Sequence, residues 1–269
     1  MKIQKIILLV ISIILIAILT ECKRNKKSDT LSKQELVIYC ENGILAPVRE
    51  FSAQFEKETG IKVNIQNDCA RNLSNLIYYR GEADIYIPDC RLSIDNMLMT
   101  NPEIIEDSAV IGYQTLIFII SPSNPINFDG QMATLTSGKF GIELANPETS
   151  SLGQATEKLL KHHSIYNEII KSVLSLTTDS RGLFRNIASG NSQLAIDWES
   201  DYLSNSNDFQ IIDTVKIPSN EIYYQAIAVV LKDAPNKENA MKFINQLKTP
   251  SGKFFFEKYG ITDIPLSPN

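Results

Sequence analysis

The sequence predicts an α/β protein with two lobes, each a mainly parallel sheet flanked by helices. Short apolar runs that favour strands alternate with stripes of apolar residues at helical spacing. This alternation occurs twice, once before and once after the strongly apolar run at residues 116–120. The chain of 269 residues is also long enough to bury two cores. Two α/β units in one chain predict two lobes with a cleft between them.

The first unit begins with a β-rich run at residues 36–40. An apolar stripe at helical spacing follows, and Gly60 is placed to end that helix as its C-terminal cap. A second strand, a helix and a third strand follow at residues 61–65, 73–77 and 83–87. This order predicts parallel strands joined by right-handed crossovers. Ligands in such sheets bind beyond the carboxyl ends of the strands, so the residues just after each strand are candidate site residues.

The second unit begins with a strand predicted at residues 140–144. Helices are predicted to start near Ser150-Ser151 and near Asp179-Ser180, each followed by apolar residues at helical spacing. Strands at residues 194–196 and 227–231 follow, and two helices close the chain. Helix starts therefore follow strand ends in this unit too, which predicts a second set of candidate site residues.

The composition excludes several classes of protein. Hydrophobic residues make up 43% and charged residues 21%, which excludes a disordered or collagen-like chain. Lys and Arg total 26 against 31 Asp and Glu, a net charge of −5, so we expect no nucleic-acid partner. Four cysteines are too few for a disulfide scaffold, and they are not spaced as zinc knuckles. We expect a monomer that carries no cofactor.

The N-terminal residues resemble a secretion signal. Lys2 and Lys5 precede an apolar stretch at residues 6–19, which is short for a bilayer span and typical of a signal-peptide core. Cys22 follows closely, and this junction resembles the lipobox of bacterial lipoproteins, in which the cysteine is lipidated. Glu21 departs from the lipobox pattern, which prefers a small residue before the cysteine.

This junction sets the predicted boundaries at the start of the chain. We expect residues 1–21 to form a signal peptide, Cys22 to carry the lipid and residues 22–35 to form a flexible tether. The alternative is an uncleaved N-terminal anchor. Both place the body of the protein outside the cytoplasm, tethered to a bacterial membrane.

Ordered segments of the body resemble the molybdate-type solute-binding proteins of ABC importers. They follow the order and spacing of that family from about Leu36 to Ile261. The segments are residues 39–44, 47–51, 55–63, 73–76, 83–86, 145–153, 226–230 and 258–261.

The resemblance implies the fold of periplasmic binding proteins, in which two hinge strands join the lobes. The hinges then lie near residues 113–118 and 224–229. Residues 36–112 plus 229–269 form lobe I, and residues 113–228 form lobe II.

The same resemblance implies a receptor rather than an enzyme. Members of the family close their two lobes on a tetrahedral oxyanion, held by backbone N–H groups and hydroxyls at helix N-termini. Such termini carry unpaired donors and a partial positive charge, so an acidic protein can bind a dianion there. The implied partners are a molybdate- or tungstate-like inorganic oxyanion, an ABC permease with its ATPase subunits, and the membrane through the lipid anchor.

The family resemblance, the strand-end junctions and the ability of Arg71 to clamp an anion together give a set of ligand-binding positions, with a solvated loop arginine as the alternative for Arg71. They are Asn42, Gly43, Cys69, Ala70, Arg71, Ser151, Leu152, Ser180 and Trp198. Gly43 and Cys69 stand where members often have serine, and Trp198 stands where they often have a ligand tyrosine. A thiol is a poorer donor than a hydroxyl, and an indole can only donate. Glu41 and Asp68 would repel a dianion, so we expect them to face solvent or pair with an arginine.

Three cysteines leave the chemistry of the site open. Cys40, Cys69 and Cys90 each end a predicted strand, and parallel topology brings such ends to one edge of a sheet. They can be free buried thiols, two of them can form a disulfide, or all three can hold a soft metal such as Zn²⁺ or Cu⁺. A soft-metal receptor and a ligand sensor of the same fold are therefore alternative functions. A thiol enzyme is disfavoured because the two histidines, His162 and His163, are adjacent on one distant helix.

Overall fold

Two stretches of the chain, residues 35–205 and 212–263, are described by a computed structural model. The predicted signal peptide and Cys22, together with residues 23–34 of the predicted tether, lie outside the described residues. Within the described stretches, no helix is both long and apolar enough to cross a membrane. The body of the protein, Leu36–Asn269, forms one compact unit.

The described residues contain nine strands, which follow the order β2-β1-β3-β9-β4-β7-β5-β6, with β8 paired to β4. The strands are β1 (Glu35–Glu41), β2 (Lys62–Asp68), β3 (Ile85–Ile87), β4 (Ile105–Ile120), β5 (Ile142–Ala145), β6 (Ser175–Thr177), β7 (Leu194–Trp198), β8 (Asp213–Lys216) and β9 (Tyr223–Leu231).

Helices follow most of these strands and cover the sheet. They are α1 (Leu45–Thr59), α2 (Ala70–Arg80), α3 (Arg91–Thr100), α4 (Ser151–His162), α5 (Tyr166–Ser172), α6 (Ser180–Ala188), α7 (Glu199–Asn205), α8 (Lys237–Leu247) and α9 (Pro250–Glu257). Two 3₁₀ turns, Asn42–Ile44 and Met132–Ser137, complete the set of helical elements in the described residues.

The strand directions confirm the predicted α/β units. β1 and β3 are parallel, and so are β5, β6 and β7, as expected for strands joined by helical crossovers. The central strands differ, because β4 and β9 are antiparallel to each other and to their outer neighbours. The strand predicted at residues 116–120 is only the end of β4, which begins at Ile105. At Ile105–Ile111 buried and exposed residues alternate, and polar residues on the exposed face hide the strand from a search for apolar runs.

The core consists of clusters on both faces of the sheet. On one face of the β1-β3-β9 half, α1, α8 and α9 pack through aromatic rings, with the Phe51 and Phe243 ring centroids 4.8 Å apart. The opposite face is covered by α2 and α3, through Leu73 and Ile94. A third cluster joins the end of β4, β5 and β7 to α4 and α6 and also contains Cys90. These clusters place the N-termini of α2, α3, α4 and α6 at strand ends.

Local sequence explains where the site helices begin. Ser150 caps α4 through its hydroxyl, which accepts the backbone N–H of Gly153 at 3.0 Å. Asp179 caps α6 by accepting the backbone N–H of Arg181 at 3.1 Å. Gly60 ends α1 in the left-handed conformation with φ of 73°, as predicted. The caps fix the residues that line the strand ends.

We expect Ser150→Ala to lower the free energy of unfolding by about 1 kcal/mol, because the Gly153 N–H then loses its acceptor in a buried place. Urea denaturation measures this change. Ser172→Ala is the matched control: its exposed hydroxyl bonds only the Ile169 carbonyl at the end of α5, and we expect a change of less than about 0.5 kcal/mol. Equal effects for the two variants would contradict the importance of the cap.

Candidate functional site

The residues predicted to bind ligand lie at junctions between strands and helices in both units. Asn42 and Gly43 form the turn after β1, and Cys69 is the N-cap of α2. Ser151 and Ser180 are the first residues of α4 and α6. The other predicted positions are Ala70 and Arg71 in the first turn of α2, Leu152 in the first turn of α4, and Trp198 at the end of β7. Among these residues, only Arg71 is exposed.

Direct hydrogen bonds join the two sets of junctions. Asn42 Nδ2 donates to Asp179 Oδ2 at 2.8 Å, and Asn67 Nδ2 donates to Asn42 Oδ1 at 2.7 Å. The hydroxyls of Ser93 and Ser151 lie 2.6 Å apart. The two strand-end regions are therefore in contact, and the side-chain donors predicted for a ligand bond to protein groups.

Arg71 also forms hydrogen bonds and an ion pair with residues of the opposite unit. Its backbone N–H donates to the Thr149 carbonyl at 3.1 Å. Its Nε donates to the Glu148 carbonyl at 3.0 Å, and its Nη2 lies 3.1 Å from Glu148 Oε2. The side chain is about half exposed, so the ion pair with Glu148 contributes little to stability. Arg71 thus links the units in this state.

The side chains of Trp198 and Asp89 pack tightly against Gly43. A Cβ atom at this position would lie 2.8 Å from Cδ1 of Trp198 and 2.9 Å from Oδ2 of Asp89. Trp198 is completely buried, and its ring lies 5.6 Å from that of Tyr224 between centroids. Ser200 adds a bond from its hydroxyl to the Gly43 carbonyl at 3.0 Å. A serine, which the family resemblance led us to compare with Gly43, would not fit against this indole.

Four carboxyl groups beside this contact are almost fully buried. They are Glu41, Asp89, Asp197 and Asp201, and none is more than 5% exposed. The expectation that Glu41 faces solvent or pairs with an arginine is wrong. Its Oε1 accepts the Tyr86 hydroxyl at 2.5 Å, because the end of β1 packs beside β3 instead of opening to solvent. Asp68 is half-buried and accepts the N–H of Cys69 at 2.7 Å.

These carboxyl groups were the main feature that sequence reasoning missed. Asp197 lies inside the apolar strand β7, and Asp89 follows the buried strand β3, so both could have been suspected from their apolar surroundings. Ser200 and Gln114 were missed as well: Gln114 donates to the Asp89 carbonyl and accepts the Ser200 hydroxyl. No local signal marks these two residues, because their partners are distant in sequence.

Cys40, Cys69 and Cys90 are free, buried thiols, which agrees with the first of the three alternatives and contradicts the disulfide alternative. Among the described residues, no three His, Cys, Asp or Glu side chains are arranged to hold a metal ion, so the structure lends the soft-metal hypothesis no support. Burial raises the pKa of Cys40, Cys69 and Cys90, which keeps them as thiols at neutral pH.

A polar cavity of about 1180 Å³ opens beside the N-terminus of α6. Its lining includes Asp68 from the first unit and Asp179, Arg181 and Arg185 from the second. Arg181 forms an ion pair with Asp179 at 3.0 Å. The formal charges of the two acidic and two basic side chains in this lining cancel. The cavity is open to solvent rather than enclosed.

We expect Gly43→Ala to lower the free energy of unfolding by about 1–3 kcal/mol, because the new methyl group overlaps Trp198 and Asp89. Thermal and urea unfolding measure the loss. A double-mutant cycle with Trp198→Leu is the control: the smaller side chain makes room for the methyl group, so Gly43→Ala should cost less in the Trp198→Leu background than in the wild type. If Gly43→Ala costs the same free energy of unfolding in both backgrounds, the contact between position 43 and Trp198 is contradicted.

Solved periplasmic binding proteins share this fold. The periplasmic molybdate-binding protein of Azotobacter vinelandii matches with a TM-score of 0.71 and 18% identity, over 86% of this chain and 99% of that one. AfuA from Actinobacillus pleuropneumoniae, with fructose-6-phosphate bound, matches with a TM-score of 0.70 and 17% identity, over 84% and 82%. Iron-bound HitA from Pseudomonas aeruginosa matches with a TM-score of 0.67 and 14% identity, over 87% and 90%. These likenesses confirm the predicted two-lobed α/β fold class.

The family is established by a match to the sequence. No match is found among curated proteins. The family model described as bacterial extracellular solute-binding protein matches residues 36–262, nearly the whole predicted body. This match confirms the resemblance found in the sequence, and the family is one of transport-associated binding proteins rather than enzymes. The chain therefore belongs to the bacterial extracellular solute-binding proteins.

Proposed function

We propose that this protein is a lipid-anchored receptor that captures an inorganic oxyanion, such as molybdate or tungstate, and delivers it to an ABC permease with its ATPase subunits. The oxyanion binds between lobe I, residues 36–112 plus 229–269, and lobe II, residues 113–228. Cys22 anchors the receptor to the outer face of a bacterial membrane.

One observation carries the proposal: strand-end junctions from both units meet at one interface. The turn at Asn42–Ile44 and the starts of α2, α4 and α6 all lie there. Helix starts offer backbone N–H groups and a partial positive charge, which is the chemistry that suits an anion. The similarity to a molybdate-binding protein supports the same class of ligand.

The hydrogen bonds across this interface indicate how a ligand enters. Asn42 with Asp179, and Ser93 with Ser151, satisfy one another while the units touch. An oxyanion between the units would replace these bonds with charge-assisted ones, each contributing about 1.5–3 kcal/mol. A few such bonds suffice for micromolar binding, which needs about 8 kcal/mol after ordering costs.

We expect the full chain, purified in detergent, to bind molybdate or tungstate with a micromolar Kd by calorimetry. Cys69→Ser should preserve or tighten this binding, because a hydroxyl is the better donor at the N-cap of α2. Asp233→Asn, an exposed site on another face, is the matched control and should leave the Kd unchanged. The proposal is wrong if no oxyanion binds at millimolar concentration, or if Zn²⁺, Fe³⁺ or an amine binds instead.

A second prediction concerns the anchor. Cys22→Ser removes the only thiol that can accept the lipid, so we expect either a soluble protein or an unprocessed precursor in membrane fractionation of cells. Cys69→Ser, which leaves the N-terminus intact, should fractionate as the wild type does. Normal processing and membrane retention of the Cys22→Ser protein would contradict lipidation.

A further inference from the structure

The four buried carboxyl groups have no role in the oxyanion proposal and work against it. Glu41 and Asp89 come from the first unit, and Asp197 and Asp201 come from the second. An ionised carboxylate away from water is strongly unfavourable unless it is paired or fully hydrogen-bonded. A dianion placed beside several of them would be repelled. Their protonation therefore decides whether the closed interface is stable.

The hydrogen bonding of the cluster is incomplete. Oε2 of Glu41, Oδ1 of Asp89 and Oδ2 of Asp197 are buried and have no hydrogen-bond partner. Asp84, equally buried, shows the contrast: its two oxygens accept backbone N–H groups from Val37 and Asn236. Burial raises the pKa of Asp84 as well, but these hydrogen bonds oppose the rise, whereas the three unpartnered oxygens of the cluster lack such donors.

No cation compensates the cluster within the described residues. None of its four members takes part in an ion pair there. Arg181 is near enough to favour ionised Asp201, but it pairs with Asp179. The other ionisable groups that face the cluster are Asp179 from the start of α6, the neutral hydroxyl of Tyr86 from β3, and the thiols of Cys40 and Cys90.

Burial and the neighbouring carboxylates both raise the pKa values of the cluster. Burial first, and then Glu41 and Asp201, raise the pKa of Asp89 well above its ordinary value, although the Gly43 N–H and the Trp198 indole oppose the rise. Burial and the charges of Asp201, Asp89 and Asp179 raise the pKa of Asp197 in the same way. Burial raises the pKa of Asp201 to about 7, and burial also raises that of Glu41.

We propose that closure of the two lobes takes up protons at the carboxyl cluster of Glu41, Asp89, Asp197 and Asp201, so that the receptor holds its solute in acid and releases it as the pH rises. The solute part of this inference rests on the oxyanion proposal, whereas the proton uptake of the ligand-free protein does not. Neutral carboxyl groups no longer repel one another or an incoming dianion, and each can donate a hydrogen bond.

The sign of the pH dependence follows from the two states. Opening returns water to the carboxyl groups that the opposite unit covers, as Trp198 covers Asp89, and these then titrate near pH 4. In the closed state their pKa values are higher. The closed state therefore binds more protons. Closure is fully favoured below about pH 4 and weakens as the pH rises, by about tenfold in its equilibrium constant per pH unit for each proton taken up.

The test is calorimetry of molybdate binding to the full chain from pH 5.5 to 8.5, in buffers of differing ionisation enthalpy. We expect the Kd to rise by about tenfold or more per pH unit and proton uptake to accompany binding. Asp89→Asn and Asp197→Asn each mimic a neutral carboxyl group, so both should tighten binding at pH 8 and flatten the pH dependence. Asp233→Asn removes an exposed charge and should follow the wild type.

Small-angle scattering of the ligand-free protein over the same pH range separates the two proposals. We expect the radius of gyration to increase with pH in the wild type and less so in the two cluster variants. If this occurs while no oxyanion binds at any pH, the oxyanion proposal fails and proton-linked closure stands. A Kd and a radius of gyration that do not change between pH 5.5 and 8.5 would overturn proton-linked closure and leave the oxyanion proposal intact.

Discussion

The strand β4 is the constraint on which the rest of the structure depends. Its first part pairs with β9, and from Leu116 onward it pairs with β7 and β8. One continuous backbone therefore carries the register of both halves of the sheet, and a slip of one residue would exchange its buried and exposed faces. Trp198, opposite Leu116, lies directly after this change of partners, which brings the end of β7 to the turn after β1. The change falls within the predicted hinge at residues 113–118, an assignment that stays a prediction.

Polar groups at the interface between the two units hydrogen-bond to one another. Ser150 and Asp179 cap their helices, and Asn42 bonds across to Asp179. Each bond satisfies a group that would otherwise be costly to bury. Under the proposed function, an oxyanion at this interface competes with these protein partners, so its affinity is the difference between two sets of hydrogen bonds. Selectivity follows, since only a solute that satisfies both sides at once compensates for the bonds it replaces.

The sequence was sufficient for the elements whose signals are local. Gly60 closes α1, and Ser150 and Asp179 start α4 and α6, because capping chemistry and apolar periodicity act over a few residues. The candidate site could be located at strand ends by the same reasoning. The side-chain contacts within the site could not be predicted. Glu41, for example, bonds to Tyr86, which is 45 positions away in the sequence, and this contact depends on tertiary packing. The helices α3, α5 and α7 and the first part of β4 were missed, because they lack a strong apolar run or stripe.

Gly43 and Trp198, which the family resemblance compares with a serine and a tyrosine, are structurally coupled. Tryptophan is larger than tyrosine, and its indole occupies the space that a side chain at position 43 would need. Glycine at 43 is therefore the condition for tryptophan at 198. The indole in turn excludes water from Asp89 and Asp197, since all three side chains are almost fully buried. A drier interface strengthens each charge–charge interaction and makes an ionised carboxylate less favourable. Gly43 and Trp198 thus form a water-excluding contact beside acidic side chains, which supports the proposed protonation of the cluster.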